Sequence, residues 1–399
     1  MEGACFDDIR PYINEEVPAA VKQLLASGDW SPILTPLLGA EATAALLGHM
    51  ASIESIERFQ SLVSQPLIEA IIAKTTAGVS FEMPRCFDPV GALFISNHRD
   101  IVLDPSLINV ALAQSGAPTT EIGIGSNLLR LPWVECLVKL NRSFIVRRGG
   151  TPREQLMNSA QVAAYVRRVV LENRRSVWLA QREGRAKDGD DRTSPALVRM
   201  LLDGGGKEAW EALRVHPVSL SYEWDPCDAM KVRELLLREA QGGQYEKAPG
   251  EDEQSMKLGL FGPKGRVVVH FGEPIPYVEG PGRPAANLAT ALDEALFRGF
   301  RIWPNQIWAA RQVAPPEGWD WRDNHGALSP EEVSACEARL ESVVQWVESS
   351  TSFSAREIRE RWCRMVAQPL WNAEAIAHSD EKGEAALRKG RKVSWELKG

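Results

Sequence analysis

Short apolar runs alternate with longer helical patterns along most of the chain. Runs that fit strands lie at 91–96, 121–124, 143–146, 176–180, 215–222 and 266–271. Apolar runs of this length, bounded by polar residues, are typical of buried strands. The segments between them are long enough for helices, with starts near Pro105, Pro152 and Ser194. Strands that alternate with helices predict an α/β fold, in which helices cover both faces of a β-sheet.

The pattern changes near both ends of the chain. Apolar residues in Val21–Leu25 and Leu62–Ile72 recur at spacings of three and four, which predicts helices. Toward the C-terminus, helical segments that contain tryptophan replace the strand–helix alternation. We therefore predict a helical N-terminal region over 1–85, an α/β domain over 86–300 and a helical C-terminal extension over 301–399.

Candidate chemistry stands directly after the first apolar run. His98 follows the strand at 91–96, and two carboxylates, Asp100 and Asp104, lie close behind it. The C-terminal end of a strand is where α/β sheets bind ligands. A histidine that a carboxylate orients is the usual general base for a hydroxyl group. Because such pairs also occur on protein surfaces, this stretch alone leaves catalysis and a plain surface histidine open.

Three later strand candidates also end in charged groups. Their ends are Arg147-Arg148, Gln181-Arg182-Glu183-Gly184-Arg185 and, after Pro217-Val218, Glu223. In order and spacing, the four blocks resemble the motifs of the glycerolipid acyltransferase family. That family has a histidine and an aspartate separated by four residues, then F-x-x-R, then E-G-x-R, then a proline–valine strand. The resemblance spans roughly residues 86 to 280.

The resemblance implies an O-acyltransferase with a mixed β-sheet flanked by helices. His98 would be the general base, and the acceptor hydroxyl would attack an acyl thioester directly, without an acyl-enzyme. The sequence contains no G-x-S-x-G nucleophile elbow, in agreement with that mechanism. Arg147, Glu183, Gly184 and Arg185 would bind the acceptor, since arginine captures a phosphate or carboxylate through two hydrogen bonds. For Glu183, a salt bridge to a neighbouring arginine remains the alternative. No metal or cofactor is expected.

Two positions depart from the family pattern. The family aspartate is expected at Leu103, and carboxylates stand instead at Asp100 and Asp104. A proline follows Asp104, as in the family's Asp-Pro, so we predict Asp104 as the partner of His98 and keep Asp100 as the alternative. The second departure is Gln181-Arg182, which replaces the usual F-P and is expected to alter the wall of the site.

A net charge of −7 hides a strongly basic segment. Between Arg142 and Lys187, eleven basic residues stand against three acidic ones, which leaves +8. A local basic field in an acidic protein indicates an anionic partner, with a solvated helical face as the alternative. With the family resemblance, the expected partners are acyl carrier protein or acyl-CoA as donor, a lysolipid or glycerol phosphate as acceptor, and an anionic membrane surface. Nucleic acid is not expected.

Composition limits the location of the protein. No window approaches the ~18 uninterrupted apolar residues of a membrane-spanning helix. The first residues lack the basic-then-apolar layout of a signal peptide. Six cysteines without a C-x-x-C spacing argue against a zinc site or a disulfide framework. We therefore predict a cytoplasmic protein, peripheral at the inner face of the cell membrane. Its thirteen tryptophans fit core packing or anchoring at a lipid interface.

Some of the same residues also occur in other kinds of site. His98-Arg99-Asp100 is similar to the start of a kinase catalytic loop, but the required asparagine and a D-F-G motif are missing. A metal-dependent phosphohydrolase would combine His98, Asp100 and Asp104 with the aspartates of 187–191, a cluster more typical of a solvated turn. A catalytically inactive membrane- or carrier-binding protein is a further alternative.

The acceptor has an alternative of its own. The stretch from Asn97 to Asp104, together with 222–228, resembles a divergent bacterial branch of the family. It is similar to O-acyltransferase domains that make amino-acid lipids, such as ornithine lipid, from a lyso precursor. In that case the arginines would meet a carboxylate instead of a phosphate.

Overall fold

A seven-stranded β-sheet forms the centre of the computed structural model, which describes residues 6–28, 30–318 and 321–382, with side chains as far as residue 377. Its strands are β1 Thr76–Glu82, β2 Leu93–Ser96, β3 Glu121–Gly125, β4 Ser143–Val146, β5 Val177–Ala180, β6 Val215–Tyr222 and β7 Gly265–Phe271. They lie in the order β1-β7-β6-β2-β5-β3-β4. Strands β2 to β6 are mutually parallel, β7 is antiparallel to β6, and β1 is parallel to β7.

Helices cover both faces of the sheet and extend beyond it at both ends of the chain. The N-terminal helices are α1 Val17–Ala26, α2 Ser31–Leu38, α3 Ala40–Met50, α4 Ile56–Phe59 and α5 Gln65–Thr75. Those between and around the strands are α6 Leu103–Gln114, α7 Pro132–Leu140, α8 Pro152–Arg167, α9 Pro195–Leu202, α10 Gly206–Leu213, α11 Asp228–Ala240, α12 Glu251–Phe261 and α13 Pro284–Arg298. The C-terminal helices are α14 Pro304–Gln312, α15 Pro330–Glu348 and α16 Ala355–Lys382. The predicted α/β class, with a mixed sheet and helical extensions, is confirmed.

Strand β2 shows why this chain forms a sheet covered on both sides. All four of its residues are buried, as expected for a parallel strand with helices on each face. Leu93 and Ile95 join a core with α8, α9, α10 and α13, whereas Phe94 joins a second core with α5 and α6. Successive side chains point to opposite faces, so one short strand supplies both cores.

The terminal helices have cores of their own. Helices α1 and α7 share an apolar cluster, and α14, α15 and α16 pack together against α11. Trp362 and Trp371 are fully buried in the C-terminal cluster, which assigns these tryptophans to core packing. Residues 383–399 of the predicted extension lie outside the described residues. The division of the chain at 85 and 300 stays a prediction.

One secondary-structure prediction was wrong in detail. Thr76–Glu82 forms strand β1, within the region predicted to be helical, because its exposed edge position gives it no continuous apolar run. Helix α16 continues through Pro369, although proline usually ends or kinks a helix. The described part of the chain has no helix with the length and apolarity that crossing a bilayer requires.

The parallel strands place their C-terminal ends together. Because β2 to β6 run in the same direction, the loops that follow them emerge at one edge of the sheet, here called the carboxyl edge. Ligands of α/β sheets bind at this edge. The loops after β2, β4 and β5 carry His98, Arg147 and Glu183, respectively.

Candidate active site

His98 and Asp104 form a hydrogen-bonded pair at the carboxyl edge. His98 Nδ1 lies 2.9 Å from Asp104 Oδ2. The Asp104 side chain is fully buried in the first turn of α6, while 13% of the His98 side chain remains exposed. An ionised carboxylate can only accept, so Nδ1 carries the proton and Nε2 has a free lone pair. Among the described residues, none is hydrogen bonded to Nε2. The ring can therefore take a proton from a ligand.

Asp104 is held by three further donors. Its Oδ2 accepts hydrogen bonds from the backbone N–H of Arg99, at 2.6 Å, and of Asp100, at 2.9 Å. Its Oδ1 accepts from the hydroxyl of Tyr222 at 2.9 Å. Burial and the neighbouring Asp104 charge raise the pKa of Tyr222 well above its ordinary range, so the phenol stays protonated and donates. The sequence did not indicate this role for Tyr222.

Asp100 has a different position from Asp104. Its Oδ1 accepts from the backbone N–H of Val102, at 2.9 Å, and of Leu103, at 2.7 Å, which satisfies amides at the start of α6. Burial and the Asp104 charge raise the pKa of the Asp100 carboxyl. A Cβ at Gly259 would lie 1.9 Å from Asp100 Oδ2, so glycine is what lets α12 pack here. Asp104 is thus the carboxylate that contacts His98.

Buried polar contacts fix the backbone on either side of His98. Asn97 Nδ2 donates to Leu220 O at 3.0 Å, and Leu220 N donates to Asn97 Oδ1 at 2.8 Å, which ties the end of β2 to β6. The Trp178 ring meets the His98 ring edge-on, with centroids 5.9 Å apart. Trp178 is itself oriented, because its Nε1 donates to Ser96 Oγ at 2.9 Å. These contacts restrict the histidine before any ligand arrives.

Arg147 and Arg148 separate at the end of β4. Arg147 is half exposed, and its Nη2 lies 2.6 Å from Asp8 Oδ2 in the N-terminal segment. Arg148 turns instead toward the loop after β5, where its Nη1 lies 3.1 Å from Glu183 Oε2. The backbone N–H of Arg148 also donates to Ser126 Oγ at 3.0 Å. The structure therefore brings Glu183 to Arg148, a residue that was not among the predicted ligand contacts.

Gly184 and Arg185 lie in the turn after β5. Gly184 has φ of +70° and open space where a Cβ would stand, so the turn requires glycine for its backbone conformation and not for close packing. Arg185 is buried, and its Nη1 donates to Ser255 Oγ on α12 at 2.6 Å. These contacts do not bring Arg185 and Arg147 to each other. Their shared role in binding one acceptor stays a prediction.

Buried charges connect the His98 loop to later parts of the chain. Arg99 Nη2 lies 2.8 Å from Asp191 Oδ2, and Arg99 O accepts from Lys231 Nζ at 3.3 Å. Burial raises the pKa of Asp191 to about 6. Asn372 Nδ2 of α16 donates to Asp190 Oδ1 at 3.0 Å, in the loop that also carries Asp191. Helix α16 therefore supports the loop whose Asp191 pairs with Arg99.

A cavity of about 60 Å³ borders Asp100 and Tyr222 near the end of β6, the strand that flanks β2 on the side opposite β5. Lys264 contributes to its wall, and burial lowers the pKa of this lysine to about 8. Among the described residues, no three His, Cys, Asp or Glu side chains are grouped to hold a metal ion. The aspartates that the phosphohydrolase alternative would need are engaged elsewhere: Asp191 with Arg99 and Asp190 with Arg192.

The basic residues of 142–187 lie at two opposite edges of the sheet, so they do not form one basic face. Arg142 is buried just before β4, and Arg174 stands just before β5, at the edge opposite the carboxyl edge. Arg147 and Arg148 lie at the carboxyl edge. Each strand-and-helix unit of the chain passes both edges of the sheet. The net charge of 142–187 is therefore a sum over two separate surfaces.

Comparisons with known proteins agree with the sequence blocks. Residues 83–201 match the family model described as Acyltransferase, a range that contains His98, Arg147 and Glu183. No curated protein sequence matches the chain. Among solved structures, the 1-acyl-sn-glycerophosphate (LPA) acyltransferase PlsC from Thermotoga maritima aligns at 13% identity with a TM-score of 0.33, over 72% of this chain and 97% of that one. A TM-score this low does not establish a shared fold or function. The match over residues 83–201 agrees with the resemblance to glycerolipid acyltransferases, which is confirmed at the level of this family model.

Proposed function

We propose that this protein transfers a fatty acyl group from an acyl thioester to a hydroxyl of a glycerol phosphate or lysophospholipid. The observation that carries the proposal is the His98–Asp104 pair, whose Nε2 is open at the carboxyl edge. The family match supports acyl transfer in general, and the acceptor class and thioester donor follow from the sequence resemblance. Acyl carrier protein and CoA are both candidate carriers of the thioester.

The proposed reaction begins with His98 as general base. Nε2 takes the acceptor's hydroxyl proton as the oxygen attacks the thioester carbonyl, forming a tetrahedral oxyanion. The oxyanion collapses, the C–S bond breaks, and the departing thiolate takes the proton back from the imidazolium. Asp104 holds Nδ1–H in place and stabilises the positive charge on the ring. Loss of a positioned base of this kind costs ~10²–10⁴ in rate.

We assign Tyr222 as a positioning residue for this pair. Its hydroxyl donates to Oδ1, while the two backbone amides and His98 meet at Oδ2. A carboxylate whose two oxygens are both held by donors keeps one orientation toward the imidazole. Tyr222 does not need to touch the substrate in this role, because it acts through Asp104.

The acceptor's anionic group would meet the arginine side of the carboxyl edge. The family resemblance suggests Arg147, Glu183, Gly184 and Arg185 for this task, and the contact with Glu183 supports Arg148 as an additional anion ligand. An exposed Arg–carboxylate pair is weak, so an incoming phosphate can replace Glu183 as the partner of Arg148. Gly184 would supply the turn that presents Glu183, and buried Arg185 would hold that turn against α12.

Purified protein tests the proposal directly. Acyl-CoA and acyl carrier protein would be offered as donors to glycerol 3-phosphate, lysophosphatidic acid and lyso-ornithine lipid. We expect thiol release that depends on one acceptor, with the acylated product identified by mass spectrometry. Turnover only with lyso-ornithine lipid would redirect the proposal to an amino-acid lipid. Absence of thiol release with every pair, from protein that binds membranes or carrier, would favour the inactive binding protein.

A further inference from the structure

The start of α8 and the loop before it are exposed. Every residue from Arg147 to Met157 is exposed, which covers the loop after β4 and the first turns of the helix. Within this run, Leu156 is 72% exposed and Met157 is 62% exposed, the highest values among the large apolar side chains that the structure describes. Isolated exposed apolar residues are common, but core packing does not explain an exposed leucine next to an exposed methionine at the start of a helix.

A second loop stands beside this one. Strands β3 and β4 pair with Gly125 opposite Val146, so the loops that follow them are neighbours at the carboxyl edge. The hydrogen bond from Arg148 N to Ser126 Oγ ties the two loops together. The loop after β3 exposes Arg130, Leu131 and Pro132, with Leu131 48% exposed. We call the two segments, 130–132 and 147–157, the rim.

The two segments of the rim carry arginines as well as apolar side chains. Its basic residues are Arg130, Arg147, Arg148 and Arg153, and its only acidic residue is Glu154. Glu154 is engaged within its own helix start, because Thr151 N donates to Glu154 Oε2 at 2.7 Å. Asp8 and Glu183, outside the rim, pair with Arg147 and Arg148, so the positive charge of the rim rests mainly on Arg130 and Arg153. Proteins that rest on anionic membranes combine these two features.

We propose that the rim docks on an anionic bilayer surface. Leu131, Leu156 and Met157 enter the boundary between headgroups and acyl chains, and Arg130 and Arg153 meet lipid phosphates. This proposal rests on the proposed function, since an amphiphilic acceptor would then reach His98 along the carboxyl edge that holds the rim. The apolar side chains among the arginines favour a bilayer, which takes up both kinds of side chain, over an acidic carrier protein.

Vesicle co-sedimentation tests the rim without any need for activity. Binding of the full chain would be measured on phosphatidylcholine vesicles and on phosphatidylcholine–phosphatidylglycerol vesicles. The double variant Leu156→Ser, Met157→Ser should lower binding to anionic vesicles by about tenfold, because it removes the inserted apolar surface. Arg130→Gln with Arg153→Gln should lower it by about tenfold and weaken its salt dependence.

Matched controls lie on other surfaces. Ile33→Ser with Phe261→Ser removes two apolar side chains that are 49% and 45% exposed away from the rim, and Arg356→Gln with Arg359→Gln removes two exposed charges on α16. Both controls should bind vesicles like wild type. Rim variants that bind like wild type, or that lose affinity only for acyl carrier protein, overturn the proposal. Loss of vesicle binding by the rim variants supports it even if no acyl transfer is found.

Discussion

The two halves of the carboxyl edge are built differently. At the end of β2, Asp104 is fully buried and accepts from His98, Tyr222 and two backbone amides. At the ends of β4 and β5, Arg148 meets a Glu183 side chain that is 73% exposed. Removing one member of a buried, hydrogen-bonded charge network is costly, whereas an exposed ion pair contributes about 0–1 kcal/mol.

This difference suggests a division of labour. A proton-transfer centre must hold its geometry before the substrate arrives, and the buried contacts of Asp104 provide that. A site for an anionic group must instead exchange its internal partner for the ligand, and a weak exposed pair allows the exchange. Mutations should therefore affect turnover at the first region and acceptor affinity at the second.

The largest effect is expected from His98→Ala. Without a base at Nε2, acyl transfer should fall by about 10⁴-fold, the upper end of the range for a positioned base. The His98 ring is partly exposed and meets the Trp178 ring edge-on, so its loss should leave the fold intact. Thiol release and thermal unfolding of the same preparation check both points. Near-wild-type turnover in the folded variant would contradict the proposed mechanism.

Asp104→Asn and Asp100→Asn separate the two aspartates. Asp104→Asn removes the charge that stabilises the imidazolium, and turnover should fall by about 10²–10³-fold. Asp100→Asn should stay within about threefold of wild type, because an asparagine oxygen can still accept from Val102 N and Leu103 N. Steady-state kinetics of both variants decide the matter, and a larger loss for Asp100→Asn would transfer the role to that residue.

The buried centre was largely predictable from local sequence. His98 follows an apolar run, and Asp104 precedes a proline at the start of a helix, so both roles depend on residues within a few positions of each other. The strands were predictable for the same reason, since buried parallel strands are continuous apolar runs. Strand β1 was missed because an exposed edge strand lacks that signal.

Other contacts depend on tertiary structure and left no local signal. Tyr222 and Asp104 are 118 residues apart, and only the parallel pairing of β2 with β6 brings their elements together. The partner of Glu183 depends on which way each arginine turns at the end of an edge strand. Nothing in the sequence separates Arg147 from Arg148 in this respect, apart from the family spacing that favours Arg147.

Arg148→Gln and Arg147→Gln sharpen the comparison at the exposed region. If Arg148 captures the acceptor's anionic group, its replacement should raise the acceptor KM by about tenfold with kcat nearly unchanged. Arg147→Gln should have a smaller effect, about twofold, because that side chain turns toward Asp8 in the N-terminal segment and not toward Glu183. Acceptor titrations at saturating donor measure both. A larger effect for Arg147 would support the family spacing over the observed contact.

The smallest effect is expected from Tyr222→Phe, which tests whether the buried centre is positioned through Asp104. The substitution removes the hydroxyl that donates to Asp104 Oδ1 and keeps the shape of the ring. The adjoining cavity of about 60 Å³ is lined by polar as well as apolar residues and has enough room for a water molecule to replace the hydroxyl in part. We therefore expect a loss of about fivefold in kcat/KM.

The pH profile distinguishes positioning from a general loss of stability. With one donor fewer, the Asp104 carboxylate attracts the imidazolium proton more strongly, so the acidic limb of kcat/KM should move to higher pH in Tyr222→Phe. Tyr165→Phe is the matched control, because the buried Tyr165 hydroxyl donates to Glu121 Oε2 at 2.7 Å away from His98. That variant should lose stability while its acidic limb stays where it is in wild type. If both variants leave the limb unchanged, Tyr222 only supports the fold.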